Sequence, residues 1–246
     1  MAVIRGVVFD MDDTLYLECD YVLSGFVSIS KTLGEQSGVR PTEISDFLWQ
    51  GFLQGVRGDA FSRLLSAYPQ LAGGFQVTDL VELYRNHAPD IRIMSGIEEM
   101  LRAMRTSGLR LAALCDGIWF GQELKVQALG LNRLVDTVIY TDKWGREYWK
   151  PHTRGFEEIM RVWGCRADEL VFVADNPEKD FAGPNQLGWR TIRMRLPGQL
   201  RAHLEPESET NKAEIEADSV CDLRCILSDW MLQEGVSSCS RGFSIS

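Results

Sequence analysis

The chain has 246 residues, enough for one large domain or for a core domain with a smaller insertion, and its 45% hydrophobic composition supports a packed core. A formal net charge of -9 argues against a nucleic-acid binder or an acidic-membrane binder, because Lys and Arg make those contacts. The apolar stretches are strand-sized, far below the roughly 20 residues of a membrane span. With no secretory cleavage pattern and six scattered cysteines, we expect a cytoplasmic protein with reduced thiols.

The first predicted element is a buried strand that ends in carboxylates, Val7-Val8-Phe9-Asp10-Met11-Asp12. Charged side chains that follow a buried strand can first reach solvent or a metal ion at the carboxyl end of that strand. Asp10 can then serve as a nucleophile and Asp12 as a general acid and base. Taken alone, the pattern equally describes an Asx turn or a helix cap.

Helical periodicity continues from this motif to about residue 95 and predicts an insertion of four helices over residues 16–94. One face of the first helix carries Val22, Phe26, Ile29 and Leu33. Residues 1–15 and 95–233 are assigned to the core domain. Residues 234–246, rich in Ser and Gly, are expected to form a flexible tail.

From Ser95 onward, helices alternate with short apolar strands. Ser95 and Glu98 fit a capping box at the start of a helix that runs to about residue 107. Such alternation predicts an α/β fold, a Rossmann-like doubly wound parallel sheet. The predicted strands cover residues 111–115, 137–140, 170–174 and 190–194, with a last one at 217–221.

The segment 197–216 is acidic and poorly patterned, so we interpret it as a loop or a mobile excursion. A final helix is expected over residues 222–232.

Four strand ends of the predicted sheet carry polar groups. In a parallel sheet these ends lie at one edge, which is where such folds bind ligands. Each group has an ordinary explanation as a turn or cap residue, but four of them in this order favour a site. The groups are Asp10 with Asp12, the run Cys115-Asp116-Gly117, Lys150, and Asp175 with Asp180.

The order and spacing of these motifs resemble the haloacid dehalogenase superfamily of phosphotransferases, to about residue 230. The matching segments are D-M-D-D-T-L, L-C-D-G, W-K-P and A-D-N-P-E-K-D-F. The resemblance implies a phosphatase whose helical insertion is a cap that closes over the site and selects the substrate. It favours a phosphatase over a dehalogenase, because dehalogenating relatives lack a carboxylate at the position of Asp12.

The resemblance also implies the role of each residue. Asp10 is the expected nucleophile, Asp12 the acid and base, and Lys150 the charge partner. The expected Mg²⁺ ligands are Asp10, the backbone carbonyl of Asp12, and Asp175. Cys115, Asp116, Gly117 and Lys150 are expected to bind phosphate, with Asp180 and Asn176 in secondary positions around the metal.

Two residues depart from the pattern of this superfamily. Cys115 stands where a Ser or Thr hydroxyl usually donates to phosphate, and a thiol is a weaker donor. Ala174 stands where Gly is common. Three further residues, Arg57 and Arg63 in the insertion and Trp119 in the core, are candidates for substrate contact.

We expect a Mg²⁺-dependent phosphatase that hydrolyses a small phosphorylated metabolite, preferably a sugar phosphate, through an aspartyl-phosphate. The alternatives are a nucleoside monophosphate phosphatase, a sugar phosphomutase, or a non-catalytic ligand-binding protein of the same fold. No nucleic-acid or membrane partner is expected, and a homodimer is left open.

Overall fold

The computed structural model describes residues 2–232, which form two compact units. Among these residues, the first unit comprises 2–17 and 93–232, and the second comprises 18–92. The tail predicted at 234–246 lies outside the described residues. Within the described residues, no helix combines the length and apolar composition needed to span a membrane.

The first unit contains a sheet of six strands, all paired in parallel in the order β3-β2-β1-β4-β5-β6. The order reverses at β1, so the chain fills one half of the sheet and then the other, as expected for a doubly wound fold. The strands are β1 Gly6–Phe9, β2 Arg110–Cys115, β3 Thr137–Tyr140, β4 Leu170–Ala174, β5 Arg190–Met194 and β6 Ile215–Ala217.

Strands β1 and β4 are buried along their whole length, which explains their continuous apolar sequences. In register, Phe9 of β1 lies beside Ala113 of β2 and Val173 of β4. The residues that follow these strands therefore emerge side by side.

The α-helices of this unit are α6 Ile97–Thr106, α7 Trp119–Ala128, α8 Arg154–Trp163, α9 Ala182–Leu187 and α10 Val220–Leu232.

The second unit is helical throughout. The predicted apolar face of its first helix is buried, and contacts between Phe26 and the rings of Phe52, Phe61 and Tyr84 hold the helices together. Its helices are α1 Glu18–Ser37, α2 Pro41–Leu53, α3 Ala60–Ala67, α4 Pro69–Ala72 and α5 Val77–Asn86. Four helices were predicted here and five are present in residues 18–92; the additional one is the one-turn helix α4, whose four residues, beginning with Pro, carry no periodic signal.

The capping box predicted for α6 is wrong. The N-cap is Gly96, in the left-handed region with φ 83°, and no side chain caps the helix. The Glu98 carboxylate instead pairs with Arg102 one turn later, at 2.7 Å. Glycine suits this entry because a side chain at positive φ would be strained.

The last strand and helix begin earlier than predicted, at Ile215 and Val220. Up to residue 214, the segment predicted at 197–216 is irregular except for a short 3-10 turn at Glu209–Asn211, and its last two residues belong to β6. It is not a detached excursion, because Gln199 and Ala213 are buried. Its anchoring contacts lie beside the candidate site.

Candidate active site

Three carboxylates from two strand ends form a cluster at the carboxyl edge of the sheet. One oxygen each of Asp10, Asp175 and Asp180 lies within 4.8 Å of the other two, and all three residues are buried. Asp10 directly follows β1 and Asp175 directly follows β4, two adjacent strands. Parallel pairing thus brings together acids that are 165 residues apart in the chain.

Lys150 is the cation of this cluster. Its side chain is fully buried, and Nζ donates to Asp10 Oδ1 and lies 2.8 Å from Asp180 Oδ1. The charges of Asp10 and Asp180 outweigh the effect of burial and hold the pKa of Lys150 well above its ordinary value. Lys150 is therefore an ammonium ion that links the two carboxylates.

The cluster holds more negative charge than Lys150 neutralises. Burial, reinforced by Asp180, raises the pKa of Asp10 from 3.8 to about 6 despite Lys150. Burial, together with Asp180 and Asp10, raises the pKa of Asp175 well above its usual range. Crowded carboxylates of this kind either bind protons or bind a cation.

The free oxygens of the cluster fit a hard divalent cation. Asp10 Oδ2 and Asp175 Oδ2 are buried and accept no hydrogen bond from any described residue. Buried polar atoms normally have a hydrogen-bond partner, so these two oxygens are expected to bind a ligand. Carboxylate oxygens at this spacing suit Mg²⁺. Asp180, expected in a secondary position, contributes an oxygen to the same cluster.

Asp12 is held apart from this cluster by its own partners. Lys125 Nζ lies 2.8 Å from Asp12 Oδ1, the Tyr16 hydroxyl donates to the same oxygen, and Gln122 Nε2 lies 3.3 Å from Oδ2. Burial acts to raise the pKa of Asp12, but Lys125 and Tyr16 outweigh it and lower the pKa. Asp12 is therefore a carboxylate with a fixed orientation.

The end of β2 contributes the neighbouring loop. Burial, together with the charges of Asp10 and Asp12, raises the pKa of the Cys115 thiol well above its ordinary value, so the thiol is neutral. Gly117 has φ 105°, and a Cβ there would lie 2.7 Å from Gln122 Nε2. A side chain at this position would therefore displace the residue that contacts Asp12.

The Asp116 side chain links this loop to Thr141 and to the backbone of Lys150. Its Oδ1 accepts hydrogen bonds from Thr141 Oγ1 at 2.7 Å and from the backbone N–H of Lys150 at 3.2 Å. Lys179 Nζ lies 3.7 Å from Oδ2. The carboxylate therefore has a positioning role, and only the backbone N–H remains for the predicted contact with phosphate.

The irregular segment after β5 forms hydrogen bonds with Asp13 of the first motif. Asp13 is fully buried at φ 55°, in the left-handed region. Its carbonyl accepts from Gln199 Nε2 at 2.6 Å, and its Oδ2 accepts from the backbone N–H of Leu200 at 2.7 Å. The segment predicted to be a loop or a mobile excursion is thus a loop that supports the site.

Arg193 of β5 connects the same segment to the fourth motif. Its side chain is 2% exposed, and Nε donates to the carbonyl of Asp175 at 3.0 Å. Nη2 donates to the carbonyls of Arg201 and Leu204. Arg193 therefore holds the backbone of a metal-ligand candidate from inside the sheet.

The candidate substrate residues have local partners. Arg57 Nη1 donates to the carbonyls of Phe52 and Val56, and its guanidinium lies 3.9 Å from the Phe52 ring centroid. Arg63 pairs with Asp59 one turn earlier, at 2.7 Å. Trp119 begins α7, is 40% exposed and lies beside Lys143. Their contact with substrate stays a prediction.

Sequence reasoning missed several residues that contact the predicted ones. Gln122 and Lys125 are three residues apart on α7, and polar residues at helical spacing ordinarily face solvent. Lys179 stood inside the fourth motif but carried no assigned role. Arg193 lies between the apolar residues Ile192 and Met194 in β5, and a charged residue in that position is the sequence signal that identifies it.

Comparison with known proteins gives a family match over residues 7–194, to the model described as haloacid dehalogenase-like hydrolase. A glyceraldehyde 3-phosphate phosphatase of Methanocaldococcus jannaschii is 27% identical over 207 residues, which cover 80% of this chain and 87% of that protein. Pyrophosphatase PpaX of Bacillus cereus is 23% identical, and the aligned region covers 92% of this chain and 97% of that protein.

Among solved structures, a HAD family hydrolase from Deinococcus radiodurans, with bound phosphate and sodium, superposes with a TM-score of 0.62. The match covers 94% of this chain and 98% of that chain at 19% identity. This likeness concerns the fold.

Proposed function

Since the chain belongs to the haloacid dehalogenase-like hydrolase family and is a phosphatase, we propose that it hydrolyses a small phosphorylated metabolite with Mg²⁺ through an aspartyl-phosphate on Asp10. The observation that carries this proposal is the buried cluster of Asp10, Asp175 and Asp180 around Lys150. A nucleophile, carboxylates that suit a hard cation and a fixed ammonium are what phosphoryl transfer requires.

The two oxygens of Asp10 have different environments, which suits a nucleophile. Oδ1 accepts from Lys150, whereas Oδ2 accepts no hydrogen bond from the described residues. Lys150 orients the carboxylate and favours its ionised form. Mg²⁺, held by the carboxylates of Asp10, Asp175 and Asp180 and the backbone carbonyl of Asp12, would neutralise the site and polarise the phosphoryl group.

Asp12 moves the proton in both steps. Asp12 takes up a proton from solvent before the first step and donates it to the leaving oxygen when Asp10 attacks phosphorus. The carboxylate that results accepts a proton from water when the aspartyl-phosphate is hydrolysed. Lys125 and Tyr16 favour the carboxylate form, which the second step needs. Their contacts also keep Asp12 in one orientation, and orientation contributes much of the rate of such reactions.

The substrate class is proposed from the relatives. The relative from Methanocaldococcus jannaschii is named for glyceraldehyde 3-phosphate, a triose phosphate, and the relative from Bacillus cereus is named for pyrophosphate. Both names thus refer to small phosphorylated substrates. We favour a sugar phosphate. The closure of the helical insertion over the site and the cytoplasmic location remain expectations from the sequence, and a homodimer is left open.

The test is release of phosphate from an aryl phosphate, with and without Mg²⁺, by the wild-type protein and by Asp10→Asn. We expect Mg²⁺-dependent turnover that Asp10→Asn abolishes. A panel of sugar phosphates, nucleoside monophosphates and pyrophosphate then identifies the substrate class. Equal background rates for both proteins over the whole panel would favour a non-catalytic binding role, and transfer to a second position of the sugar would identify a mutase.

A further inference from the structure

Three lysines surround the carboxylates of the site, and they differ in exposure. The Lys150 side chain is fully buried between Asp10 and Asp180, and that of Lys125 is 8% exposed against Asp12. The Lys179 side chain is 34% exposed, and its ammonium lies 3.7 Å from Asp116 Oδ2. An anion that enters from solvent can therefore reach Lys179 without breaking a close ion pair.

The backbone that carries Lys179 is fixed. The Asn176 side chain accepts from the N–H of Glu178 at 3.0 Å, and the Asn176 N–H donates to Asp180 Oδ2 at 3.0 Å. The carbonyl of Asn176 accepts from the N–H of Asp180, also at 3.0 Å. These bonds close a tight turn, so Lys179 leaves the chain at a defined point directly before Asp180.

The position of Lys179 in the chain brings it to the cluster. It directly precedes Asp180, one oxygen of which lies within 4.8 Å of oxygens of Asp10 and Asp175. Its ammonium lies 3.7 Å from Asp116 Oδ2, in the loop that follows β2. Lys179 therefore belongs to the segment that carries a carboxylate of the cluster and contacts the loop that is expected to bind phosphate.

Two neighbouring side chains are less suited than Lys179 to donate to phosphate. The Cys115 thiol, at the end of the neighbouring strand β2, is neutral and a weak donor. Lys150 already bridges two carboxylates. A phosphoryl group on Asp10 carries charge on its non-bridging oxygens, which require donors in the transition state.

We propose that Lys179 is a phosphate-binding residue whose ammonium donates to a non-bridging oxygen of the phosphoryl group at Asp10. This inference rests on the proposed function and deepens it by assigning a second cation to the phosphoryl group. Lysine is a common phosphate ligand because its compact charge can contact an oxygen from several directions. The ion pair with Asp116 is long and partly solvated, so exchanging it for phosphate costs little.

The experiment measures the binding of inorganic phosphate by calorimetry at saturating Mg²⁺, for the wild type, Lys179→Met and Lys179→Arg. Lys212→Met is the control, because it removes a lysine whose ammonium pairs with Glu209 at the surface. Lys179→Met should weaken phosphate binding roughly 10- to 100-fold, the range of a charged hydrogen bond. Lys179→Arg should restore part of the loss, and Lys212→Met should change little.

Two further readouts separate binding from structure. The melting temperature without phosphate should be close to that of the wild type in Lys179→Met, while the added stabilisation by phosphate should fall. The KM for an aryl phosphate should rise together with the phosphate dissociation constant. If Lys179→Met misfolds, Lys179→Gln, which keeps a polar end, carries the same test.

The outcomes distinguish this inference from the proposed function. Phosphate binding within twofold of the wild type in a folded Lys179→Met protein overturns the role of Lys179, even where Asp10→Asn is inactive. A wild-type protein that neither binds phosphate nor releases it from an aryl phosphate overturns both.

Discussion

The sheet edge and the helical insertion place their charges in opposite ways. At the sheet edge, Lys150 and Asp180 are fully buried and belong to segments that are distant in sequence from Asp10. In the insertion, Arg63 and Asp59 form a pair one turn apart with both side chains more than half exposed. Burying charge costs free energy that surface pairs avoid. The buried charges at the sheet edge are therefore explained by a role in the reaction, whereas the stability of the insertion comes from its apolar and aromatic contacts.

The sharpest test of this contrast is Lys150→Met. The variant leaves Asp10 and Asp180 buried without their common cation, and loss of one partner from a buried pair costs about 3–5 kcal/mol of unfolding free energy. We also expect phosphatase activity to fall by about 10³-fold or more, because Asp10 loses its orientation. Denaturant unfolding without Mg²⁺ and phosphate release with Mg²⁺ measure the two effects. A stable, active variant would contradict the assignment of Lys150.

Arg193→Met tests the support behind the site. The carbonyls of Asp175, Arg201 and Leu204 lose a buried donor, and we expect the free energy of unfolding to fall by about 2–4 kcal/mol. Mg²⁺ affinity should fall as well, since the Asp175 backbone is no longer held. Arg161→Met is the matched control, because that arginine forms an exposed pair with Glu158 on α8. Equal losses in the two variants would show that the link to Asp175 has no importance.

Lys125→Met tests the fixation of Asp12. Removal of the Lys125 ammonium frees Asp12 Oδ1 from its ion pair. A small displacement of a catalytic group costs on the order of 10²-fold in rate. We expect kcat to fall about 10- to 100-fold, with a smaller change in KM. The control is Lys143→Met, which removes an exposed lysine that lies over the rings of Trp119 and Tyr140. An unchanged kcat would show that Asp12 needs no partner.

The pH dependence of Mg²⁺ stabilisation tests the crowding of the carboxylates. The pKa of Asp10 is raised from 3.8 to about 6, so between these values the folded protein binds more protons than the unfolded chain, and metal-free stability falls as pH rises. Mg²⁺ displaces these protons, so its effect should grow over the same interval. We expect about 5 °C of added melting temperature near pH 7.5 at about 100 times the dissociation constant, and much less near pH 5. A shift independent of pH would contradict the raised pKa.

The smallest effect is expected in the insertion. Arg63→Gln removes an exposed pair and should change the free energy of unfolding by about 0.5 kcal/mol or less. The predicted substrate role is tested in the same protein by the KM for the substrate that the panel identifies. A rise in KM with unchanged stability would support substrate contact, whereas a stability loss similar to that of Lys150→Met would remove the contrast between the two regions.

The parallel sheet and the residues at its carboxyl edge could be predicted from sequence, because apolar runs at regular intervals imply parallel strands and fix where those strands end. Asp10 and Asp175 each directly follow such a run, so topology alone brings them together. Lys150 comes ten residues after the end of β3, and its place beside Asp10 was expected from the resemblance of the motifs. The roles assigned to them remain predictions that the experiments above address.

The residues that orient the site could not be predicted in this way. Lys125 faces inward from a helix, and nothing in helical spacing distinguishes an inward lysine from a solvated one. Gln199 and Leu200 hold Asp13 from a segment with no periodicity, so its acidic, polar composition indicated mobility. Ser95 and Glu98 fit a capping box, yet the left-handed Gly96 begins the helix. Such contacts depend on tertiary neighbours rather than on local pattern.

The central claim is that Asp10 receives the phosphoryl group. The direct measurement is rapid acid quenching of the protein during turnover of an aryl phosphate with Mg²⁺, followed by mass spectrometry of the peptide that contains Asp10. We predict the added mass of one phosphoryl group on that residue, absent without Mg²⁺ and absent in Asp10→Asn. Sustained Mg²⁺-dependent release of phosphate by Asp10→Asn, with no labelled peptide in the wild type, would contradict the account.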